Sequence, residues 1–135
     1  MKSFDGKIAV ITGAAGGIGR CLAERLVAAG ASVVMADIDA AKLAQSKADL
    51  CAERGVPASR IATQVCDVTK EESVQALADK AYAEFGAVHL LFNNAGVGLG
   101  EAQRKLWDLP TADWNWGMAV NFSGLVYGIR AFVPR

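Results

Sequence analysis

The glycine-rich stretch after the first apolar run, VITGAAGGIGR from Val10 to Arg20, limits what this chain can fold into. Glycine inside a helix or strand costs roughly 0.5–1 kcal/mol relative to alanine, so such a cluster marks backbone that bends sharply or that a partner approaches closely. The stretch separates a strand-like run from a helical pattern, and a helix N-terminus placed there attracts anions. We predict a phosphate-binding turn in which Gly13 bends the chain, Gly17 admits a pyrophosphate and Gly19 allows tight packing. A purely structural tight loop is the alternative.

Apolar runs alternate with helical patterns along the chain, which is typical of a parallel sheet covered by helices on both faces. The first strand lacks polar alternation, which predicts burial on both faces, and the fourth is also predicted to be buried. A Thr-x-x-Glu capping box at Thr69 should begin the third helix. The first helix should bury a stripe of Ile18, Leu22, Leu26 and Ala29. We predict strands at 7–11, 32–36, 61–66 and 88–94, and helices at 17–29, 40–54, from the capping box to Gly86, and from Thr111 to about Val133.

Small residues line one side of the last predicted helix. Gly117, Asn121, Gly124 and Gly128 recur at helical spacing, and we interpret the glycines as sites of close helix packing. No repeat, linker or low-complexity segment divides the chain, so a single domain is expected.

Composition excludes several classes of function. The chain has 14 Lys and Arg and 14 Asp and Glu, so it lacks the basic surface that nucleic acid requires. Its apolar runs are far shorter than the roughly 20 residues that cross a bilayer, and residues 1–7 lack a signal-peptide core, so we predict a cytoplasmic protein with no membrane partner. The cysteines, Cys21, Cys51 and Cys66, have no CxxC spacing and are interpreted as small buried side chains. His89 is the only histidine, and no metal site is predicted.

Asp37, at the end of the second predicted strand, is a further candidate for contact with a nucleotide. The carboxyl end of a neighbouring parallel strand lies beside the first turn, so a carboxylate there can accept both ribose hydroxyls of an adenosine. The alternative is that Asp37 or Asp39 caps the following helix, and the two roles can coexist.

Several segments resemble the short-chain dehydrogenase/reductase family. Residues 12–19, TGAAGGIG, match its TGxxxGIG turn, and Asn93-Asn94-Ala95-Gly96 matches its NNAG motif. Asp67-Val68 resembles the pair that contacts adenine in this family. Asn121 in VNFSG resembles the active-site asparagine whose backbone holds a water in the family's proton relay. The resemblance runs from about Lys7 to the last residue.

The resemblance implies a Rossmann-type fold, a doubly wound parallel sheet in the order 3-2-1-4 followed by 5, 6 and 7. It implies a nicotinamide cofactor, hydride transfer between a small-molecule alcohol and a carbonyl, and a homo-oligomeric parent protein. The catalytic candidate in this chain is Asn121. The residues assigned to the cofactor, by motif and by resemblance together, are Thr12, Gly13, Gly17, Ile18, Gly19, Asp37, Asp67, Val68, Asn93, Asn94, Ala95 and Gly96.

The family's serine after the fifth strand and its Tyr-x-x-x-Lys are missing from these 135 residues. Tyr127 is followed four residues later by Ala131, and Ser123 lies on the helix of Asn121. Alcohol oxidation needs a base for the hydroxyl proton and a cation that tunes this base. We therefore expect residues 1–135 to be the N-terminal, cofactor-binding part of one Rossmann domain, with about four of seven strands and no catalysis alone. The end at Pro134-Arg135 is interpreted as a truncation, because it leaves the fourth strand as an open edge.

The charge of Asp37 predicts a preference for NAD over NADP, because a carboxylate repels a 2′-phosphate. No Arg or Lys stands at Gly16 or Ile38, where NADP-binding relatives carry one. Two other functions stay open. One is a non-catalytic dinucleotide-binding or regulatory module that is complete as it stands. The other is a methyltransferase, against which the spacing of residues 12–19 and the NNAG match argue.

Overall fold

Four parallel strands form one sheet in the computed structural model, which describes residues 3–99 and 105–135. The α/β fold is confirmed, and the strand order, β3-β2-β1-β4, is the one that the resemblance implies. The strands are β1 (Ile8–Thr12), β2 (Ser32–Asp37), β3 (Ile61–Val65) and β4 (Leu90–Phe92). The helices are α1 (Gly17–Ala28), α2 (Ala40–Arg54), α3 (Glu71–Phe85), α4 (Thr111–Met118) and α5 (Gly124–Phe132), with a π-helical turn at Ala119–Ser123 and short 3-10 helices at Ala58–Arg60 and Leu106–Asp108.

Hydrophobic side chains fill both faces of the sheet, because the central strands alternate their residues between two cores. Ala9 and Ile11 of β1 belong to the core that includes residues of α1 and α2. Val10 belongs to the other core, with residues of α3 and α5. None of these three side chains is exposed, so burial of the first strand on both faces is confirmed.

The fourth strand is shorter than the predicted 88–94 and only half-buried. It pairs with β1 over Ala9–Ile11 and has no second neighbour among the described residues. The edge position agrees with the expected open edge, and the strand was predicted too long because polar residues, His89 and Asn93-Asn94, flank its three apolar residues. The other strand boundaries differ from the predictions by one residue: β1 is shifted to 8–12, β2 extends to Asp37, and β3 ends at Val65.

The buried side of α1 is rotated relative to the predicted stripe. Gly19, Ala23, Leu26 and Val27 are its buried residues, whereas Ile18 is 74% exposed and Ala29 is also exposed. A Cβ at Gly19 would overlap the carbonyl oxygen of Gly13, so α1 meets the preceding turn through Gly19. The small residue therefore marks the contact face, and Ile18 lies outside it.

The predicted capping box of α3 is wrong. The N-cap residue is Lys70, without a side-chain hydrogen bond. Thr69 instead donates its hydroxyl to Oδ1 of Asp67 at 2.7 Å, so the side chain that would cap the helix is engaged in the preceding turn. Glu71 and Glu72 lie in the first turn, where a carboxylate interacts favourably with the helix dipole. Gly86 ends the helix, as predicted, and adopts the left-handed conformation.

The predicted long helix after Thr111 is interrupted by the π-helical turn, although its glycines do lie at close contacts. A Cβ at Gly117 would overlap Leu99, and one at Gly128 would overlap the side-chain amide of Asn93. At Gly124 a Cβ would lie 3.0 Å from Cβ of Val68. The glycines thus bring this helical segment against the loops that follow β3 and β4.

Seven large apolar side chains within residues 111–135 are between 40% and 70% exposed, and six of them share a regular spacing. They recur every three or four residues, so they form one stripe along the helical segment. We call this surface the apolar stripe; its members are Trp114, Met118, Phe122, Leu125, Ile129 and Val133.

The cysteines differ in exposure. Cys66 is buried, as predicted, whereas Cys51 is only half-buried and Cys21 is exposed. The prediction is therefore wrong for Cys21, which lies on the outer side of α1. Across residues 3–99 and 105–135, no helix combines the length and the apolar character that spanning a bilayer requires.

Candidate functional site

A cavity of about 620 Å3 opens where the strands reach their carboxyl ends. In open α/β sheets ligands bind at this edge. Eight of the predicted cofactor residues line the cavity: Gly13, Ile18, Asp37, Asp67, Val68, Asn94, Ala95 and Gly96. Thr12, Gly17, Gly19, Asn93 and Asn121 are not among its lining residues. The same wall includes Gly16, Ile38, Lys42, Cys66, Thr69, Val97, Trp116 and Val120.

The three glycines of the turn have different geometries. Gly13 has a φ of +66°, and a Cβ there would lie 2.9 Å from Cα of Ala95, so both conformation and space favour glycine. Gly19 allows the tight contact with α1 described above. Gly17, the first residue of α1, has a φ of +53° and nothing within 4 Å of a Cβ position. Of the three, only Gly17 leaves open space at the helix N-terminus.

Thr12 and Asn94 join the carboxyl ends of β1 and β4. Oγ1 of Thr12 accepts hydrogen bonds from the backbone N–H groups of Asn94 at 3.1 Å and Ala95 at 3.0 Å. The side-chain amide of Asn94 donates to the carbonyls of Thr12 at 2.9 Å and Gly13 at 3.3 Å. The two residues therefore fix the beginning of the glycine turn to the loop after β4.

Asp37 is held in the cavity wall by two backbone donors. Its Oδ2 accepts from N–H of Ala15 at 3.0 Å, and its Oδ1 accepts from N–H of Asp39 at 3.1 Å. Asp39 is the residue that caps α2, through N–H of Lys42 at 2.9 Å. The two carboxylates therefore have separate partners: Asp39 caps the helix, and Asp37 lies at the glycine turn.

The loop after β3 contributes a second carboxylate to the cavity. Oδ1 of Asp67 accepts from both N–H and the hydroxyl of Thr69, and these bonds, with a smaller contribution from Lys70, hold the pKa of Asp67 below its ordinary value. Burial raises the pKa of the neighbouring Cys66 thiol. At neutral pH this wall therefore presents an ionised carboxylate beside a protonated thiol.

Asn121 and Asn93 lie behind the cavity wall. Asn121, on the π-helical turn, accepts from N–H of Val97 at 2.8 Å and donates to the carbonyl of Val97 at 2.9 Å. A Cβ at Gly96 would lie 3.3 Å from its Oδ1. Asn93 packs against Gly128 of α5. Both side chains fix the loop after β4, and π-helical turns occur frequently at functional sites.

Lys42, Trp116 and Val120 are wall residues that the motifs do not include. Lys42 lies in the first turn of α2, the helix that follows the strand ending in Asp37. This nearness to Asp37 in the sequence could have indicated that Lys42 lies at the cavity. Trp116 and Val120 are four residues apart and precede Asn121 on the same helical segment. Their spacing places both side chains on one face of the helical segment, but no motif marks that face as the one toward the cavity.

Neither Tyr127 nor Ser123 lines the cavity. Tyr127 is partly buried against the core that α3 and α5 share. Within the described parts of the chain, no cluster of His, Cys, Asp and Glu side chains could hold a metal ion. The wall does include the charged side chains Asp37, Lys42 and Asp67, which can recognise a ligand by hydrogen bonds and charge.

Comparison with known proteins identifies proteins that are similar to this chain in sequence and in fold. A family model described as short chain dehydrogenase matches residues 7–135. The 1-deoxy-11-beta-hydroxypentalenate dehydrogenase of Streptomyces exfoliatus is 42% identical over 129 residues, which are 96% of this chain and 45% of that protein. The crystal structure of a short chain dehydrogenase/reductase from Burkholderia phymatum in complex with NAD has a TM-score of 0.89 and 46% identity, and the match covers 99% of this chain and 45% of that one.

A second solved structure, a metagenomic short-chain oxidoreductase in complex with NADP, has a TM-score of 0.83 and 33% identity. That match covers 96% of this chain and 56% of the other chain. The chain spans less than half the length of the curated relatives it matches.

Proposed function

Because the chain belongs to the short-chain dehydrogenase/reductase family, we propose that its residues form the dinucleotide-binding part of an oxidoreductase. The full-length protein would transfer hydride between an alcohol and a carbonyl of a small molecule. The residues that the family uses as base and cation, the Tyr-x-x-x-Lys, would then lie in sequence beyond these 135 residues.

One observation carries the proposal: open space at Gly17 and the Asp37 carboxylate occur at the same turn. At Gly17 the N-terminus of α1 is accessible, and its unpaired N–H groups and helix dipole favour a phosphate. Asp37 lies at the neighbouring strand end, where it can accept hydrogen bonds from ribose hydroxyls. A dinucleotide has both groups, joined by a short covalent link.

The residues of the cavity wall have separate roles in this proposal. N–H groups at the start of α1 would bind the pyrophosphate, Asp37 the adenosine ribose, and Asp67 and Val68 the adenine. Thr12 and Asn94 keep the turn in place. Behind the wall, Asn121 holds the loop after β4. When bound, the nicotinamide ring supplies the acceptor or donor of the hydride.

We further propose that NAD binds more tightly than NADP. The support is Asp37, whose two oxygens are already held at the turn by N–H groups of Ala15 and Asp39. At ~4 Å and an effective dielectric constant of about 20, a carboxylate and a phosphate charge repel by ~4 kcal/mol before screening. One third of this energy corresponds to about a tenfold difference between the affinities for NAD and NADP.

The matched pair Gly17→Ala and Gly55→Ala tests whether the turn binds phosphate. Gly55, which ends α2, has a φ of +62° and, like Gly17, nothing within 4 Å of a Cβ position. An L residue in the left-handed conformation costs roughly 1–2 kcal/mol, so both variants bear a similar strain. In the full-length protein, we expect Gly17→Ala to weaken NAD binding about tenfold or more in calorimetric titration, which corresponds to about 1.4 kcal/mol.

Gly55→Ala should leave NAD affinity unchanged. Equal affinities in both variants would mean that phosphate does not bind at this turn. Binding of S-adenosylmethionine in place of NAD would favour a methyltransferase. NAD binding without turnover of any secondary alcohol by the full-length protein would favour a non-catalytic module.

A further inference from the structure

Lys42 brings a positive charge to the glycine turn from outside the motif. Its Cε and Nζ both lie 3.1 Å from the position that a Cβ at Gly16 would occupy. The side chain of Lys42 therefore fills space that a longer residue at position 16 would use. Among the described residues, no carboxylate lies within 4 Å of this ammonium.

The backbone of Lys42 is held firmly against the turn. Its N–H is capped by Asp39 at 2.9 Å, and the next residue, Leu43, is only 1% exposed. One helical turn further on, the buried hydroxyl of Ser46 donates to the carbonyl of Ala15 at 2.7 Å. The first turn of α2 is thus fixed to the glycine turn, and it directs Lys42 over Gly16.

Asp37 and Lys42 lie at the two ends of one short segment, and both line the cavity. Ile38, which lies between the strand end and the cap, is 67% exposed and also lines the cavity. A group that extends from the ribose site past Asp37 toward Gly16 would meet the carboxylate first and the ammonium next. In NADP, the 2′-phosphate extends from the ribose.

We propose that Lys42 is a specificity-determining residue whose ammonium partly offsets the repulsion between Asp37 and the 2′-phosphate of NADP. The inference rests on the proposed function, because it requires that the dinucleotide binds in this cavity. Lys42 therefore reduces the preference for NAD that Asp37 creates. The protein binds both dinucleotides, and it binds NADP more weakly than NAD. The charge that offsets Asp37 comes from α2, although positions 16 and 38 carry no cation.

The experiment compares NAD and NADP affinities of the full-length protein by calorimetric titration. Lys42→Met removes the charge and keeps most of the length of the side chain, whereas Lys42→Arg keeps the charge. Lys47→Met is the matched control, because Lys47 lies on the same helix and does not line the cavity. The readout is the ratio of the two dissociation constants. A general loss of folding would weaken the binding of both dinucleotides and would leave this ratio unchanged.

For one charge near a phosphate at a partly exposed site, we expect Lys42→Met to weaken NADP binding by about three- to tenfold. NAD binding should change by less than about twofold, because Asp37 and the turn remain intact. Lys42→Arg should retain the wild-type ratio of the two dissociation constants, and Lys47→Met should not alter this ratio.

Three results would overturn the inference. Equal weakening of NAD and NADP by Lys42→Met would place Lys42 at the pyrophosphate or the ribose, which both dinucleotides share. Unchanged affinities for both would mean that the ammonium contacts neither. Failure of the unchanged protein to bind either dinucleotide would overturn the proposed function itself, and the inference with it.

Discussion

Asn94 joins the carboxyl ends of β1 and β4 by hydrogen bonds. We therefore expect it to stabilise the fold rather than to take part in catalysis. Its amide donates to the carbonyls of Thr12 and Gly13 in a half-buried environment. Asn94→Ala leaves these acceptors unpaired, so the free energy of unfolding should fall by about 1–3 kcal/mol. Chemical denaturation of the full-length protein measures this loss.

Asn121→Ala is the comparison for Asn94→Ala. Asn121 is exposed and pairs with the backbone of Val97, so its loss should destabilise the fold less and mainly slow turnover. Stability that depends on Asn121 together with turnover that depends on Asn94 would reverse both assignments.

Cys66 and Cys21 should differ in thiol chemistry. Burial raises the pKa of Cys66, whereas Cys21 is exposed on α1. The thiolate is the reactive form, so a disulfide reagent at mildly alkaline pH should modify Cys21 rapidly and Cys66 only after denaturant is added. Rapid modification of Cys66 in the folded protein, identified by mass spectrometry, would contradict its burial.

The raised pKa also has a consequence for stability. The folded state keeps the proton of Cys66 at a pH where the unfolded chain has lost it. Stability should therefore fall as the pH rises through the range in which an exposed thiol ionises. Cys66→Ala should flatten this alkaline decline, and Cys21→Ala should not.

At the residue scale, the sequence predicted the part of the site that depends on backbone geometry. Gly13 and Gly19 lie at close contacts, and Asp37 lies at the turn, because motif spacing and strand order fix these positions. Lys42 could not be predicted in the same way. Its contact with Gly16 depends on how α2 packs on the turn, through Ser46, and no motif encodes that packing.

At the element scale, the glycines of the C-terminal helical segment set its distance from the sheet. Gly128→Ala adds a Cβ that overlaps the side chain of Asn93. Alanine favours a helix over glycine by about 1 kcal/mol, but overpacking typically costs about 1–3 kcal/mol, so we expect net destabilisation. Thermal unfolding measures it, with Arg130→Ala, an exposed residue of the same helix outside the apolar stripe, as a near-neutral control. A stabilised Gly128→Ala variant would show that α5 does not pack closely on this loop.

The errors in the predicted elements have physical causes. Nothing in AVNFS at residues 119–123 marks a π-helical turn, because no proline or change in apolar spacing accompanies it. The capping box at Thr69 failed because Asp67 competes for the same hydroxyl. Strand β4 was predicted too long because residues 88–94 include His89, Asn93 and Asn94, which flank the three apolar residues in register with β1.

At the scale of the whole molecule, residues 1–135 produced alone should expose too much apolar surface for a stable monomer. The apolar stripe is exposed, and β4 has a neighbour on one side only among the described residues. We expect this fragment to bind a hydrophobic dye and to self-associate in light scattering. Leu125→Glu with Ile129→Glu should reduce both signals. Ala41→Glu with Ala44→Glu adds the same charge on exposed positions of α2, and equal improvement in that control would assign the effect to net charge alone.

The same fragment should not catalyse dehydrogenation. It lacks the tyrosine base of the family, and general base catalysis is worth about a hundred- to ten-thousandfold. Tyr127 cannot replace that base, because it packs against the core and no lysine follows one turn later. NADH absorbance with a panel of secondary alcohols should stay at background. Turnover that disappears in Tyr127→Phe would reveal a different active site within these residues.

The bonds between Thr12 and Asn94 also bear on how the protein folds. They join residues 82 positions apart, so the glycine turn is closed by a segment that is synthesised long after it. Contacts between distant parts of a chain form late and slow the folding of a domain. A nascent chain that has emerged only as far as α2 therefore holds the turn without its closing strand. We therefore expect firm dinucleotide binding only after β1 has paired with β4, because Thr12 and Asn94 then fix the turn.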